Sequence, residues 1–129
     1  MRDDVKWQKS EAFSLRIIDL YKYLRKERHE YVMSKQILRS GTSIGANIVE
    51  SEYSESKADF IHKLTIAQKE AGETLYWLRL LGKGGFLTQR LFASLYSDCE
   101  EILRILTAII RNYKNSLNKD KEDQTANPS

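Results

Sequence analysis

Two histidines, one cysteine and a few carboxylates at helical spacing are the side chains here that could act on a substrate. A di-metal centre in a helical bundle needs two Glu-x-x-His motifs and further inward-facing glutamates. The chain offers one approximation, Asp59-Phe60-Ile61-His62, and its other histidine, His29, is preceded three residues earlier by Lys26. That set is short of ligands, so His62 reads as a surface or flanking residue. A nucleophilic Cys99 would need exposure and an activating neighbour. It stands instead on an apolar row, where a buried, inert thiol is the usual state. Glu50, Glu70 and Glu73 could share acid–base work, but they read more simply as solvated charges or as structural partners of Arg39. No catalytic residue, metal ligand or cofactor site is expected.

The segment Arg39-Ser40-Gly41-Thr42-Ser43-Ile44-Gly45-Ala46-Asn47-Ile48-Val49-Glu50 mixes glycines and hydroxyls in a helical pattern. Each glycine costs about 1 kcal/mol relative to alanine inside a helix. A phosphate-cradling loop would end in Gly-Lys-Ser/Thr, whereas Gly45 is followed by Ala46 and Asn47. Close packing fits better: Gly41 and Gly45, four apart, open a groove in which another helix backbone can lie.

Four amphipathic rows must position these residues. They are Phe13, Ile17, Leu20, Leu24; then Ile37, Gly41, Ile44, Ile48; then Phe60, Leu64, Ala67, Ala71, Leu75, Leu78, Leu81; and finally Leu91, Leu95, Cys99, Ile102, Leu106, Ile109, Tyr113. Steps of three and four mark helices, and no stretch alternates with period two. A single proline, Pro128, and six glycines leave few turns for a β fold. Ser56-Lys57-Ala58-Asp59 has the form of a capping box, and Gly82-Lys83-Gly84-Gly85 that of a helix stop. The break near His29–Met33 has neither mark. The spacing predicts an all-α, antiparallel up-down-up-down four-helix bundle. Its helices should span roughly 8–28, 34–54, 57–81 and 88–117, with a polar, disordered tail over 118–129. Tyr76 and Trp77 lie off the core row, either as aromatics flanking a wide apolar stripe or as part of a subunit interface.

At 129 residues one domain is the default. The lone cysteine excludes an internal disulfide and suits a reducing compartment. Met1-Arg2-Asp3-Asp4-Val5-Lys6 leads into no apolar run, and no stretch is long enough to span a bilayer. A cytoplasmic protein without membrane partners is expected.

Charge is more informative than its total of +3. Alternating helix directions bring Lys22, Arg25, Lys26, Arg28, Lys35, Arg79, Lys83 and Arg90 to one end of the bundle, against Glu27 and Glu30. That end carries +6, so the remainder carries −3. Cations at helix C-termini complement the helix dipole, but Lys35 and Arg90 stand near helix starts. An end of this kind suits the phosphates of RNA or DNA.

The Arg39–Glu50 segment, with Ser56-Lys57-Ala58-Asp59-Phe60 and Ala67-Gln68-Lys69-Glu70-Ala71-Gly72-Glu73-Thr74-Leu75-Tyr76-Trp77-Leu78, resembles the bacterial 23S rRNA intervening-sequence proteins. The accessory variability determinant of diversity-generating retroelements belongs to the same group. The resemblance covers about residues 8–117, and Ser51 stands where relatives often have Gly or Ala. It implies a four-helix bundle assembled as a homopentamer around a central channel. By analogy with the retroelement relative, it also implies nucleic-acid binding beside a partner protein such as a reverse transcriptase. A non-enzymatic oligomeric scaffold for structured RNA or DNA is the leading expectation. A protein–protein interaction module without a nucleic-acid role is the alternative.

Overall fold

The apolar rows interlock in a single core. Phe13, Ile17, Leu20 and Leu24 are buried together with Ile37, Ile44 and Ile48, with Leu64, Ala67, Ala71, Leu78 and Leu81, and with Leu95, Cys99, Ile102 and Leu106. A computed structural model describes residues 4–126 and places these rows on four helices. They are α1 (Val5–Lys26), α2 (Met33–Ser51), α3 (Lys57–Lys83) and α4 (Gln89–Ala126). Each helix packs on its neighbours in sequence, and α1 closes loosely against α4. Along α1 the ion pairs run from Lys9–Glu101 to Arg16–Asp98, so α4 is traversed in the opposite sense, and Lys63 early in α3 pairs with Glu50 late in α2. The neighbours therefore run antiparallel, as an up-down bundle requires.

Two rows drift from the sequence reading. Phe60 is only half-buried while Ile61 enters the core, and Ile110 replaces Ile109, with Tyr113 exposed. A strict seven-residue repeat drifts by about 20° per heptad on a straight helix. The contact line therefore moves by one residue near the helix ends.

The helix termini show what sets each length. Asp4 caps α1, its carboxylate accepting from Lys6 N at 3.0 Å, so α1 starts at Val5 rather than at residue 8. Ser56 Oγ accepts from Asp59 N at 3.0 Å, the hydroxyl half of a capping box. At the far end of α3, Phe86 N donates to Leu81 O and Gly85 N to Gly82 O, with Gly85 at φ 83°. This is the Schellman closure, in which glycine supplies the left-handed residue. The unmarked break between α1 and α2 uses His29 at φ 54° instead, histidine being one of the non-glycine residues enriched there. Val32, the residue before α2, makes no side-chain cap. Glu30 does that work, its carboxylate accepting from Val32 N, Met33 N and Ser34 N at 3.2, 3.0 and 2.7 Å.

The largest departure is the C-terminus. Helix α4 does not stop at 117 but continues to Ala126, so the expected tail is helical over 118–126. Positions 127–129 lie outside the described residues. No glycine or proline interrupts the stretch before Pro128, and Lys57 anchors it through Ser116 Oγ at 3.1 Å and Asp120 at 2.9 Å. At 1.5 Å per residue α4 is about 57 Å long against about 33 Å for α1, so its last turns project beyond the bundle.

Gly41 and Gly45 form the expected groove, and its occupant is α1 of the same chain. A Cβ at Gly41 would lie 2.9 Å from both Ile17 Cγ atoms, and one at Gly45 would lie 3.4 Å from Ser10 Oγ. Ile17 is fully buried and β-branched, so it has nowhere to retreat. Gly72, exposed on α3, has nothing within 4 Å of its Cβ position. Gly41→Ala should therefore cost about 1–2 kcal/mol, overpacking of about 1–3 outweighing the helix-propensity gain. Gly72→Ala should stabilise by about 0.5–1 kcal/mol. Urea denaturation of the two variants checks the opposite signs.

Candidate nucleic-acid interface

Arg28 defines one end of the bundle. From the α1–α2 connection its guanidinium donates to Phe86 O and Gly85 O, both at 3.0 Å, in the α3–α4 connection. Both loops therefore share that end, and the eight cations assigned to it gather there. They divide by role. Arg28 is a staple between loops and also lies over the Phe86 ring. Arg25 sits 5.2 Å from the Tyr21 ring centroid and 5.0 Å from that of Tyr31, a cation held between two aromatic faces. The other six, Lys22, Lys26, Lys35, Arg79, Lys83 and Arg90, are exposed and form no ion pair or hydrogen bond among the described residues.

Elsewhere the cations are mixed: Lys69, Arg104, Arg111, Lys114, Lys119 and Lys121 are exposed along α3 and α4, while others are engaged. At the opposite end Lys6 pairs with Asp4 and Glu52, Lys63 with Glu50, and Lys57 with Asp120. Although partial burial works the other way, Lys6 holds the Asp4 carboxyl below its usual range. On the α2–α3 face Arg39 pairs with Glu70 at 3.0 Å and with Glu73. The two carboxylates outweigh desolvation and raise the Arg39 pKa above its ordinary value. This is the structural partnership the sequence suggested for Arg39. Trp77 extends it by donating Nε1 to Glu73 Oε2 at 3.2 Å.

The remaining candidates are placed plainly. Tyr76 is exposed, edge-on to a half-buried Trp77 at 5.3 Å between centroids. Gly41 and Gly45 belong to the α1–α2 contact and not to an outer surface. His62 is exposed. No group of three or more His, Cys, Asp or Glu that could hold a metal ion occurs among the described residues. None of their helices is long and apolar enough to cross a membrane. What sequence reasoning missed is the division among the cations, because a carbonyl staple such as Arg28 depends on loop geometry with no signature along the chain.

The comparisons with known proteins agree with this architecture. A family model described as 23S rRNA-intervening sequence protein matches residues 2–108. The chain is also similar to the crystal structure of a protein with unknown function from the S23 ribosomal protein family of Bacteroides thetaiotaomicron. There the identity is 55%, the TM-score is 0.82, and the match covers 82% of this chain and 98% of that one. No curated protein matches.

Cys99 is fully buried, with Sγ 3.5 Å from Ala71 O. Burial first, then the Glu100 and Asp98 carboxylates, push its thiol pKa up to about 12. The folded chain should therefore be alkylated about a thousandfold more slowly than the denatured chain near pH 8. The unfolded thiol loses its proton above its ordinary value of 9.0 while the folded one keeps it. This group's contribution to stability therefore falls as pH rises above 9.0. Mass-resolved iodoacetamide labelling with and without urea measures the rate difference.

Proposed function

The chain belongs to the 23S rRNA-intervening sequence protein family, and we propose that it serves as a non-enzymatic scaffold that binds structured RNA or DNA through its basic end. The observation that carries this reading is that six exposed, unengaged cations at one end share it with only two carboxylates, Glu27 and Glu30, whereas at the other end Asp4, Glu50, Glu52 and Asp120 pair with lysines. Lysine and arginine left without protein carboxylates are available to phosphates, and displacing the counterions of a polyanion favours the exchange. Arg25 and Arg28 position the loops that present the others. The reading includes a homopentamer, following the resemblance. Leu15, Tyr53 and Tyr76 leave apolar surface for neighbouring copies, and a ring repeats the cationic end once per subunit. It also places the protein in a reducing, cytoplasmic setting, which the free thiol of Cys99 suits.

A protein partner, such as a reverse transcriptase, is the second reading. The exposed Val32 and Tyr53 side chains favour it, since apolar surface of this kind serves docking as well as assembly. Co-precipitation with and without nuclease separates it from direct binding.

Binding to a labelled structured RNA should weaken linearly in a log–log plot against salt, with a slope of about −0.9 per phosphate neutralised on a duplex. Lys22→Gln, Lys26→Gln and Arg90→Gln should each reduce that slope by about 1. Lys69→Gln, at an exposed position midway along α3, should leave it unchanged. Light scattering on the same preparation should give the mass of five chains. Salt-independent or absent binding refutes the nucleic-acid role, and a monomer refutes the ring.

A further inference from the structure

Between the end of α3 and the start of α4 lies an open cleft of about 320 Å³, lined by Arg79, Gly82, Lys83, Gln89, Phe92 and Tyr96. Its volume is at the small end of ligand clefts, which begin near about 300 Å³. One wall is cationic. Arg79 and Lys83 are four residues apart on α3, hence on one face, and both are exposed without protein partners. The other wall is aromatic. Phe92 and Tyr96, one turn apart on α4, have ring centroids 5.2 Å apart at 36° and are only partly buried against the core. Gly82 makes this seating possible, because a Cβ there would lie 2.8 Å from Phe92 Cδ1. At the mouth, the exposed Gln89 amide has both a donor and an acceptor free of protein partners.

Cations facing a two-ring platform match the two halves of a nucleotide: phosphate and base. We propose that this cleft receives one unpaired nucleotide of a bound nucleic acid. Its phosphate lies between Arg79 and Lys83, its base stacks on Phe92 and Tyr96, and Gln89 reaches the base edge. The inference rests on the nucleic-acid reading above and makes it more specific. A purely electrostatic end binds paired and unpaired strands alike, whereas a stacking cleft favours an exposed base. The chain pattern alone does not disclose this site, since its cations and rings come from different helices.

The test uses the full chain and two single strands of equal length and charge, about ten nucleotides long to fill one site. One is oligodeoxyadenylate and the other is built of abasic units; inorganic phosphate serves as a competitor. The adenylate strand should bind about tenfold more tightly by fluorescence anisotropy. Tyr96→Leu and Phe92→Leu should abolish that preference while leaving the salt dependence intact, with circular dichroism reporting the fold. Phe92 touches the core, so if its variant does not fold, the more peripheral Tyr96 variant decides. Equal affinity for the two strands, or a preference that survives in folded Tyr96→Leu, overturns the cleft and leaves the basic end standing. Competition by inorganic phosphate equal to that by adenylate also overturns the cleft. No binding of either strand or of structured RNA at low salt overturns both.

Discussion

The bundle depends on how closely α1 and α2 approach. At Gly41 the side chain of Ile17 fills the volume that any other residue's Cβ would claim. Ser10 and Ser14 extend the same contact toward Gly45. With small residues at the crossing, two backbones can come together while their larger apolar neighbours, Phe13, Ile44 and Ile48, turn inward to meet α3 and α4. The helix-propensity loss at the two glycines, about 1 kcal/mol each, is offset by burial of side chains worth about 1.5–3 kcal/mol apiece. Two hydroxyls drawn into the core between α2 and α3 satisfy each other. Thr74 Oγ1 donates to Glu70 O at 2.8 Å, and the Ser40 and Thr74 hydroxyls bond to each other at 2.9 Å.

With that spacing set, connections of five or six residues fix the direction of each helix and therefore where its charges go. The side faces and the end near Asp4 and Glu52 hold cross-helix ion pairs. Exposed pairs of this kind contribute little, about 0–1 kcal/mol each. Their larger effect is on the surface potential, since they cancel charge locally. The net positive charge is concentrated beside the two loops that Arg28 ties together, where eight basic residues meet only Glu27 and Glu30.

The helical core was legible because burial imposes a three-and-four rhythm on residue type, and all four rows carried it without a gap wider than four. The Schellman turn at Gly85 and the Ser56 cap were legible for the same kind of reason: each needs a residue type that few others can replace. Legibility failed where the chain used a substitute. His29 took a glycine's conformation, and Glu30 capped α2 from three residues before its start. The extension of α4 was missed because polarity was read as disorder. Polarity marks the lack of a core to pack against, while Lys57 supplies a surface anchor at Asp120. For the candidate site the cationic end was readable once topology was imposed. The Phe92–Tyr96 wall was not, because it faces Arg79 and Lys83 only after α3 and α4 fold together.

The helix dipole divides the cations further. Lys26 and Lys83 lie in the last turns of α1 and α3, where positive charge is favoured by about 0.3–1 kcal/mol. Folding alone is reason enough for those two, while Lys22 and Arg79 stand one turn earlier, where the dipole neither favours nor opposes them strongly. Lys35 lies in the first turn of α2, where the Glu30 carboxylate at the same helix end offsets the unfavourable dipole. Arg90 has no such relief. Thr88, whose Oγ1 accepts from Leu91 N at 3.1 Å, is a neutral cap, and the first turn of α4 contains no acidic residue. A cation at that position works against both the dipole and its cationic neighbours, and no ion pair or hydrogen bond among the described residues offsets the cost. A partner bearing negative charge would reverse the sign of that interaction. Of the eight basic residues at this end, Arg90 is therefore the one whose presence folding explains least, and the one for which the proposed binding of an anion would account best.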